Sequence, residues 1–160
     1  MALANLTDYL DGHKVEYVVI SHSPAFTAQG IAGLVHISGK ELAKTVMVKL
    51  DGKLVMAVLP AKFHVDLEGL KRAANAKNAQ LASEEEFTGR FPGCEAGAMP
   101  PFGNLFGLDV FADDSLEADQ EIAFNAGTHS ELIRMAWADF KRLVEPKITR
   151  FAAGRSAEAA

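Results

Sequence analysis

The fold is decided by Thr45-Val46-Met47-Val48-Lys49-Leu50-Asp51-Gly52-Lys53-Leu54-Val55-Met56-Ala57-Val58-Leu59-Pro60. Two runs of β-branched and apolar residues flank Asp51-Gly52, a pair suited to the positive backbone angles of a two-residue hairpin turn. The spacing predicts antiparallel strands at 45–50 and 54–59. Pro60 ends the second, because proline cannot donate to a ladder. That second strand is apolar at nearly every position, which predicts a central strand covered on both faces.

Upstream of the hairpin, Leu3, Leu6 and Leu10 recur at helical spacing, and Gly12 can end that helix. Val15 to Ile20 reads as a strand, Ser21 to Pro24 as a turn, and Thr27 as the N-cap of a helix from Ala28 to about Val35. Downstream, Asp66 is expected to cap a helix carrying Leu67, Leu70 and Ala74, and Glu84 to Phe87 opens a short helix. Strands are expected at 108–111, 121–124 and 131–135. A helix from Asp139 to Val144 stops at Pro146. Strands dominate without strict strand–helix alternation, so the expected class is α+β with a mixed, largely antiparallel sheet. No linker divides the chain. We expect one domain over 1–150 and a mobile tail of small and polar residues at 151–160.

The chain has 160 residues, 49% apolar and 23% charged, which excludes a fibrous or disordered protein. Cys94 is the sole cysteine and excludes both an internal disulfide and a multi-cysteine zinc site. No apolar run approaches the roughly 18 residues of a membrane span, and the first residues lack a basic region followed by an apolar block. A cytoplasmic protein without a membrane partner is expected. Residues 1–80 carry nine Lys/Arg against seven Asp/Glu, and residues 81–160 seven against fourteen. A binder of duplex DNA would show a basic excess, and this chain carries −5 overall. Basic residues concentrated at 40–77 leave room for a short phosphate-bearing end, or simply for a solvated face.

Lys44 is the charge with most chemical interest. It lies in phase with Val46, Val48 and Leu50, on a face that a core would claim. It either extends to solvent from the strand end or stands over a pocket. The five histidines are scattered without metal-ligand spacing. Cys94 is followed by Glu95, a poor setting for a thiolate. No phosphate loop, dinucleotide fingerprint or serine nucleophile elbow occurs, so no metal and no cofactor is expected. Gly97-Ala98-Met99-Pro100-Pro101-Phe102-Gly103 is a glycine-bracketed, proline-stiffened segment within a long Gly/Pro-rich loop. It suits either close backbone approach to a ligand or a structural turn.

Several segments, in order, resemble the YbaK/prolyl-tRNA-synthetase-associated family of aminoacyl-tRNA editing domains. They are His22-Ser23-Pro24-Ala25-Phe26-Thr27, Ala43-Lys44-Thr45-Val46-Met47-Val48, Leu59-Pro60, Val65-Asp66-Leu67, Gly97 to Gly103 and Asn125-Ala126-Gly127-Thr128-His129. The resemblance implies a barrel-like mixed sheet ringed by helices, and a free-standing enzyme that hydrolyses the ester of a mischarged tRNA. The implied partner is the 3′ end of an aminoacyl-tRNA, and a synthetase is a further candidate that the sequence leaves open. It also implies that Lys44 is essential to catalysis. Phe26, Thr27, Thr45, Gly97, Ala98, Met99, Pro100, Pro101, Phe102, Gly103, Gly127, Thr128 and His129 are the residues it marks for the substrate. The expected substrate is a small amino acid on tRNA-Pro or a related tRNA. Thr45 stands where several alanine-clearing members carry Asn. Ester hydrolysis needs only an activated water and a stabilised oxyanion. Two other readings compete. One is a non-catalytic module recognising an amino acid, a nucleotide end or a synthetase; the other is hydrolysis of a small acyl ester unrelated to tRNA.

Overall fold

The structure, a computed structural model, describes residues 4–21, 42–87, 89–91, 94–95, 98–118, 120–128 and 130–153. The predicted helix 28–35 and the Thr27 cap lie outside the described residues. In chain order the elements are α1 (Ala4–Gly12), β1 (Tyr17–Ser21), β2 (Ala43–Leu50), β3 (Lys53–Pro60), β4 (His64–Val65) and α2 (Leu67–Ala73). There follow β5 (Ala79–Leu81), α3 (Glu84–Phe87), β6 (Val110–Asp113), β7 (Glu121–Asn125), β8 (Glu131–Ala136), α4 (Trp137–Val144), β9 (Lys147–Thr149) and β10 (Ala152–Ala153). Short 3-10 turns cover Gly103–Leu105 and Asp114–Ala118. Among the described residues no helix is long and apolar enough to cross a membrane.

The hairpin forms as its turn residues require. Asp51 and Gly52 take φ of 51° and 83°, and β2 and β3 pair in antiparallel register from Leu50↔Lys53 to Ala43↔Pro60. The hairpin is the middle of a five-stranded sheet ordered β5-β2-β3-β6-β9, in which β3–β6 and β6–β9 are parallel. A three-stranded antiparallel sheet, β1-β8-β7, and the β10–β4 pair complete the architecture. The class is α+β and the sheet mixed, as expected. The barrel-like sheet implied by the resemblance is, among the described residues, a set of open sheets rather than a closed cylinder.

Seven consecutive residues of β3, Leu54 to Pro60, are buried. Their alternation feeds two cores. Leu54, Met56 and Val58 join Ala43, Met47, Val110 and Ala112 against the inner face of the three-stranded sheet (Ile122, Phe124, Ile133, Met135) and against Leu6, Leu10, Phe102 and Phe140. Val55, Ala57 and Leu59 join Val48, Leu50 and Phe111 against Leu70, Phe63, Phe151 and Ala152 on the other side.

Two expectations change. Asp66 stands at the N-cap of α2 but makes no side-chain capping bond. It is held instead by its backbone, whose N–H donates to the Phe151 carbonyl and whose carbonyl accepts from Leu70. Residues 151–153 also depart from the expected tail, and 154–160 lie outside the described residues. Phe151 is 1% exposed, and Ala152–Ala153 pair with β4, so 151–153 belong to the body of the fold. What holds them is Asp113, fully buried at the end of β6. Its carboxylate accepts from the Phe151 and Ala152 N–H groups, each at 2.9 Å, and from the N–H and hydroxyl of Ser115.

Replacing Asp113 with Ala leaves two buried backbone donors without an acceptor and opens the second core. Asp113→Ala is expected to lower stability by about 3 kcal/mol or more. Urea unfolding followed by circular dichroism measures it, and an unchanged midpoint would refute this role.

Candidate functional site

Three of the segments singled out in the sequence converge at one end of the molecule. The loop 98–101 is buried throughout, and Ala98 is completely inaccessible. It is stitched to the turn after β7: the Gly127 N–H donates to the Ala98 carbonyl at 2.9 Å, and the Glu95 N–H donates to the Gly127 carbonyl at 2.7 Å. Gly127 manages both at φ 96°, a conformation that disfavours any side chain. The first residues of β2 meet the same strand through a parallel bridge, Leu42↔Ala123. Continuing that register by two residues sets Lys44 level with Asn125.

The strand phase separates the two β2 site residues. Thr45 shares the side of Ala43 and Met47, whose core includes Met99 and Phe102 of the loop. Lys44 lies on the other side, in phase with Leu42 and Val46, and pairs across the hairpin with Leu59. Lys44 and the loop therefore approach from opposite sides of β2. Lys44 is half-buried, and among the described residues no carboxylate pairs with it. Burial alone holds its amine below the usual lysine value.

The remaining expected residues divide in two. Phe102 is a packing residue: its fully buried ring lies 5.4 Å from Phe140, 5.6 Å from Phe124 and 6.2 Å from Tyr9, centroid to centroid. Gly103 packs as tightly, since a Cβ there would sit 2.6 Å from both the Leu108 carbonyl oxygen and Val110 Cγ2. These two seat the loop, which corrects the expectation that they face a substrate. Ala98, Met99, Pro100, Pro101, Gly127 and Thr128 remain at the convergence. Phe26, Thr27, Gly97 and His129 lie outside the described residues. Cys94 is half-buried and its thiol is pushed up by desolvation, which disfavours the nucleophilic thiolate.

Sequence reasoning did not mark Asn125 for a role. Its side-chain oxygen is buried with no hydrogen-bond partner among the described residues. The signal available was an amide ending an otherwise apolar strand immediately before a turn.

A family model, the aminoacyl-tRNA editing domain, matches residues 22–143. The chain belongs to that family. It is 30% identical over 147 residues to the multifunctional Ser/Thr-tRNA deacylase ProXp-y of Escherichia coli (strain K12), covering 89% of this chain and 87% of that protein. It is 26% identical over 127 residues to a proline–tRNA ligase of Bacillus licheniformis, where the match spans 79% of this chain and 22% of the ligase. A crystal structure assigned as a trans-editing enzyme for prolyl tRNA synthetase superposes with a TM-score of 0.80 at 19% identity, covering 94% of this chain and 96% of that one.

The depressed Lys44 value has a signed consequence. Between its folded value and the usual 10.5, the unfolded chain holds the proton more firmly. The penalty for the buried cation is therefore complete at neutral pH and is relieved as pH rises through that window. Resolved lysine 13Cε resonances should show Lys44 titrating below the exposed lysines, and a midpoint at or above theirs would contradict its desolvation.

Proposed function

We propose that this editing domain hydrolyses, in trans, the ester joining a small amino acid to the 3′ end of a tRNA. Water adds to the acyl carbon, the bond to the ribose oxygen breaks, and that oxygen leaves with a proton. The observation that carries the proposal is the tie between loop 98–101 and Gly127 beside the lysine-bearing end of β2. It supplies a rigid, largely dry wall of Met99, Pro100 and Pro101 at the end of β2 whose other side carries a cation.

The roles follow from chemistry. Two prolines remove two N–H donors from the wall. The Met99 N–H, which finds no acceptor among the described residues, is the donor we assign to the developing oxyanion. Lys44, poorly solvated and without a paired carboxylate among the described residues, attracts the phosphate of the terminal nucleotide and orients the ester. Thr45 enters from the loop's side of β2, so its hydroxyl suits a small hydroxylated amino acid. A site built to bond a hydroxyl discriminates against a substrate lacking it. The relative's named specificity for Ser- and Thr-tRNA favours the same choice. Neither a cofactor nor a metal enters the scheme. A substrate used by the translating ribosome puts the proposed site of action in the cytoplasm, with a synthetase as the partner that would deliver it.

A second reading, a non-catalytic module docking on a synthetase, draws support from the net charge of −5, which is unfavourable for autonomous tRNA binding.

The test is a panel of tRNAs carrying Ala, Ser, Thr or Cys, assayed with wild type and Lys44→Ala. Wild type is expected to clear a seryl or threonyl ester fastest. Lys44→Ala should lose about 100-fold or more of that rate with its circular dichroism unchanged. Wild-type turnover by the variant would remove Lys44 from the site. Absence of hydrolysis across the panel, with capture of a synthetase, would favour the docking module.

A further inference from the structure

The three-stranded sheet has a second face, outside the first core, on which Ala123 and Leu132 are fully buried. Ile122, Phe124, Ile133 and Met135 point into the first core. The alternate residues of β7 and β8 are Ala123, Asn125, Leu132 and Arg134, and the Leu42↔Ala123 bridge adds Leu42 and Lys44 to the same face. Arg134 stands cross-strand between Ala123, fully buried, and Val18, 50% exposed. Its Nε is buried without a hydrogen-bond partner among the described residues. The in-phase carboxylates nearest in register, Glu16 and Glu121, are exposed and form no ion pair with it.

Among the described residues, Arg134 and Lys44 thus have no carboxylate partner and the Asn125 side-chain oxygen no donor, all three on one face. A buried guanidinium N–H without an acceptor is costly unless a ligand supplies one. By strand spacing the Cα atoms of Arg134 and Lys44 stand roughly 12 Å apart, two strands over and two residues along. Two long side chains at that separation can grip neighbouring phosphates of one single strand. The amide oxygen between them can accept a bond from a ribose hydroxyl. We propose that Arg134 is a second phosphate anchor for the tRNA 3′ end, gripping the backbone ahead of the terminal nucleotide held by Lys44. This inference rests on the deacylase reading for its substrate, and Arg134 acts in binding rather than in bond cleavage. Arginine suits the role because its fork can take two phosphate oxygens at once.

The experiment compares wild type, Arg134→Gln and Arg134→Lys on seryl-tRNA and on phosphate-free 3′-O-seryl-adenosine across a salt series. Arg134→Gln should raise KM for seryl-tRNA about tenfold with little change in kcat, and should reduce the salt slope by about one. The ratio of kcat/KM between the two substrates should fall about tenfold, and Arg134→Lys should recover part of it. An unchanged ratio in the folded Gln variant, or equal losses on both substrates, would overturn the proposal. If Gln is not tolerated at this position, Arg134→Met replaces it, and an unchanged ratio and salt slope in the folded Met variant overturn the proposal as well. If wild type hydrolyses neither ester, the deacylase reading fails. Arg134 is then judged by fluorescence anisotropy with an RNA oligonucleotide ending in CCA. A roughly tenfold weaker complex in Arg134→Gln supports the anchor, and equal affinity refutes it.

Discussion

Everything in this fold answers to one constraint, the burial of β3 on both faces. Seven consecutive residues without solvent contact cannot be covered by a single layer. Antiparallel sheets commonly leave one face wet, whereas a strand buried on both sides demands a partner layer on each. Here the three-stranded sheet with α1 and α4 covers one side, and α2 with the returning C-terminal segment covers the other. The parallel neighbour β6 meets the same demand within the sheet, since all four of its residues are buried.

The candidate site is a by-product of that layering. It forms where β2 leaves the hairpin and meets β7, at the margin of the first core. The loop that walls it gains rigidity from groups that never touch a substrate: the Phe102 ring among aromatic neighbours, Gly103 pressed against Leu108 and Val110, and Gly127 in a left-handed conformation. A wall fixed in advance loses little entropy when a ligand arrives. The lysine at the same end of β2, on its other side, is costly because burial strips water from its cation.

The parts legible in the sequence are those with local causes. Asp51-Gly52 dictates its turn, the apolar run of β3 announces double burial, and Pro146 follows the end of α4, where Glu145 takes a left-handed conformation. α4 begins at Trp137, two residues before the expected Asp139, because Ala136 ends β8 in extended backbone and the chain turns directly into the helix. β4, β9 and β10 were not legible. They are two or three residues long, and their pairing partners are distant in sequence, so no local period marks them. At the site, the segments around Lys44, Met99 and Gly127 were legible as a set. Which residues of those segments serve the core was not: Phe102 and Gly103 looked like pocket residues until their neighbours were known. Asn125 stood out only as the start of a resembling segment and without a role, because a single amide has no pattern.

The Asp113 carboxylate binds backbone groups 38 and 39 positions further along the chain, and β4 finds its partner only at Ala152–Ala153. A growing polypeptide emerging from the ribosome can form the hairpin early, but the second core has no lid until Phe151 is out. Until then Val55, Ala57 and Leu59 present one apolar side of β3 to whatever is nearby. Completion of the second core thus waits on residues 151–153, and contacts of such long sequence separation close slowly. The order of the strands, rather than the final stability, therefore sets how long that apolar side stays uncovered.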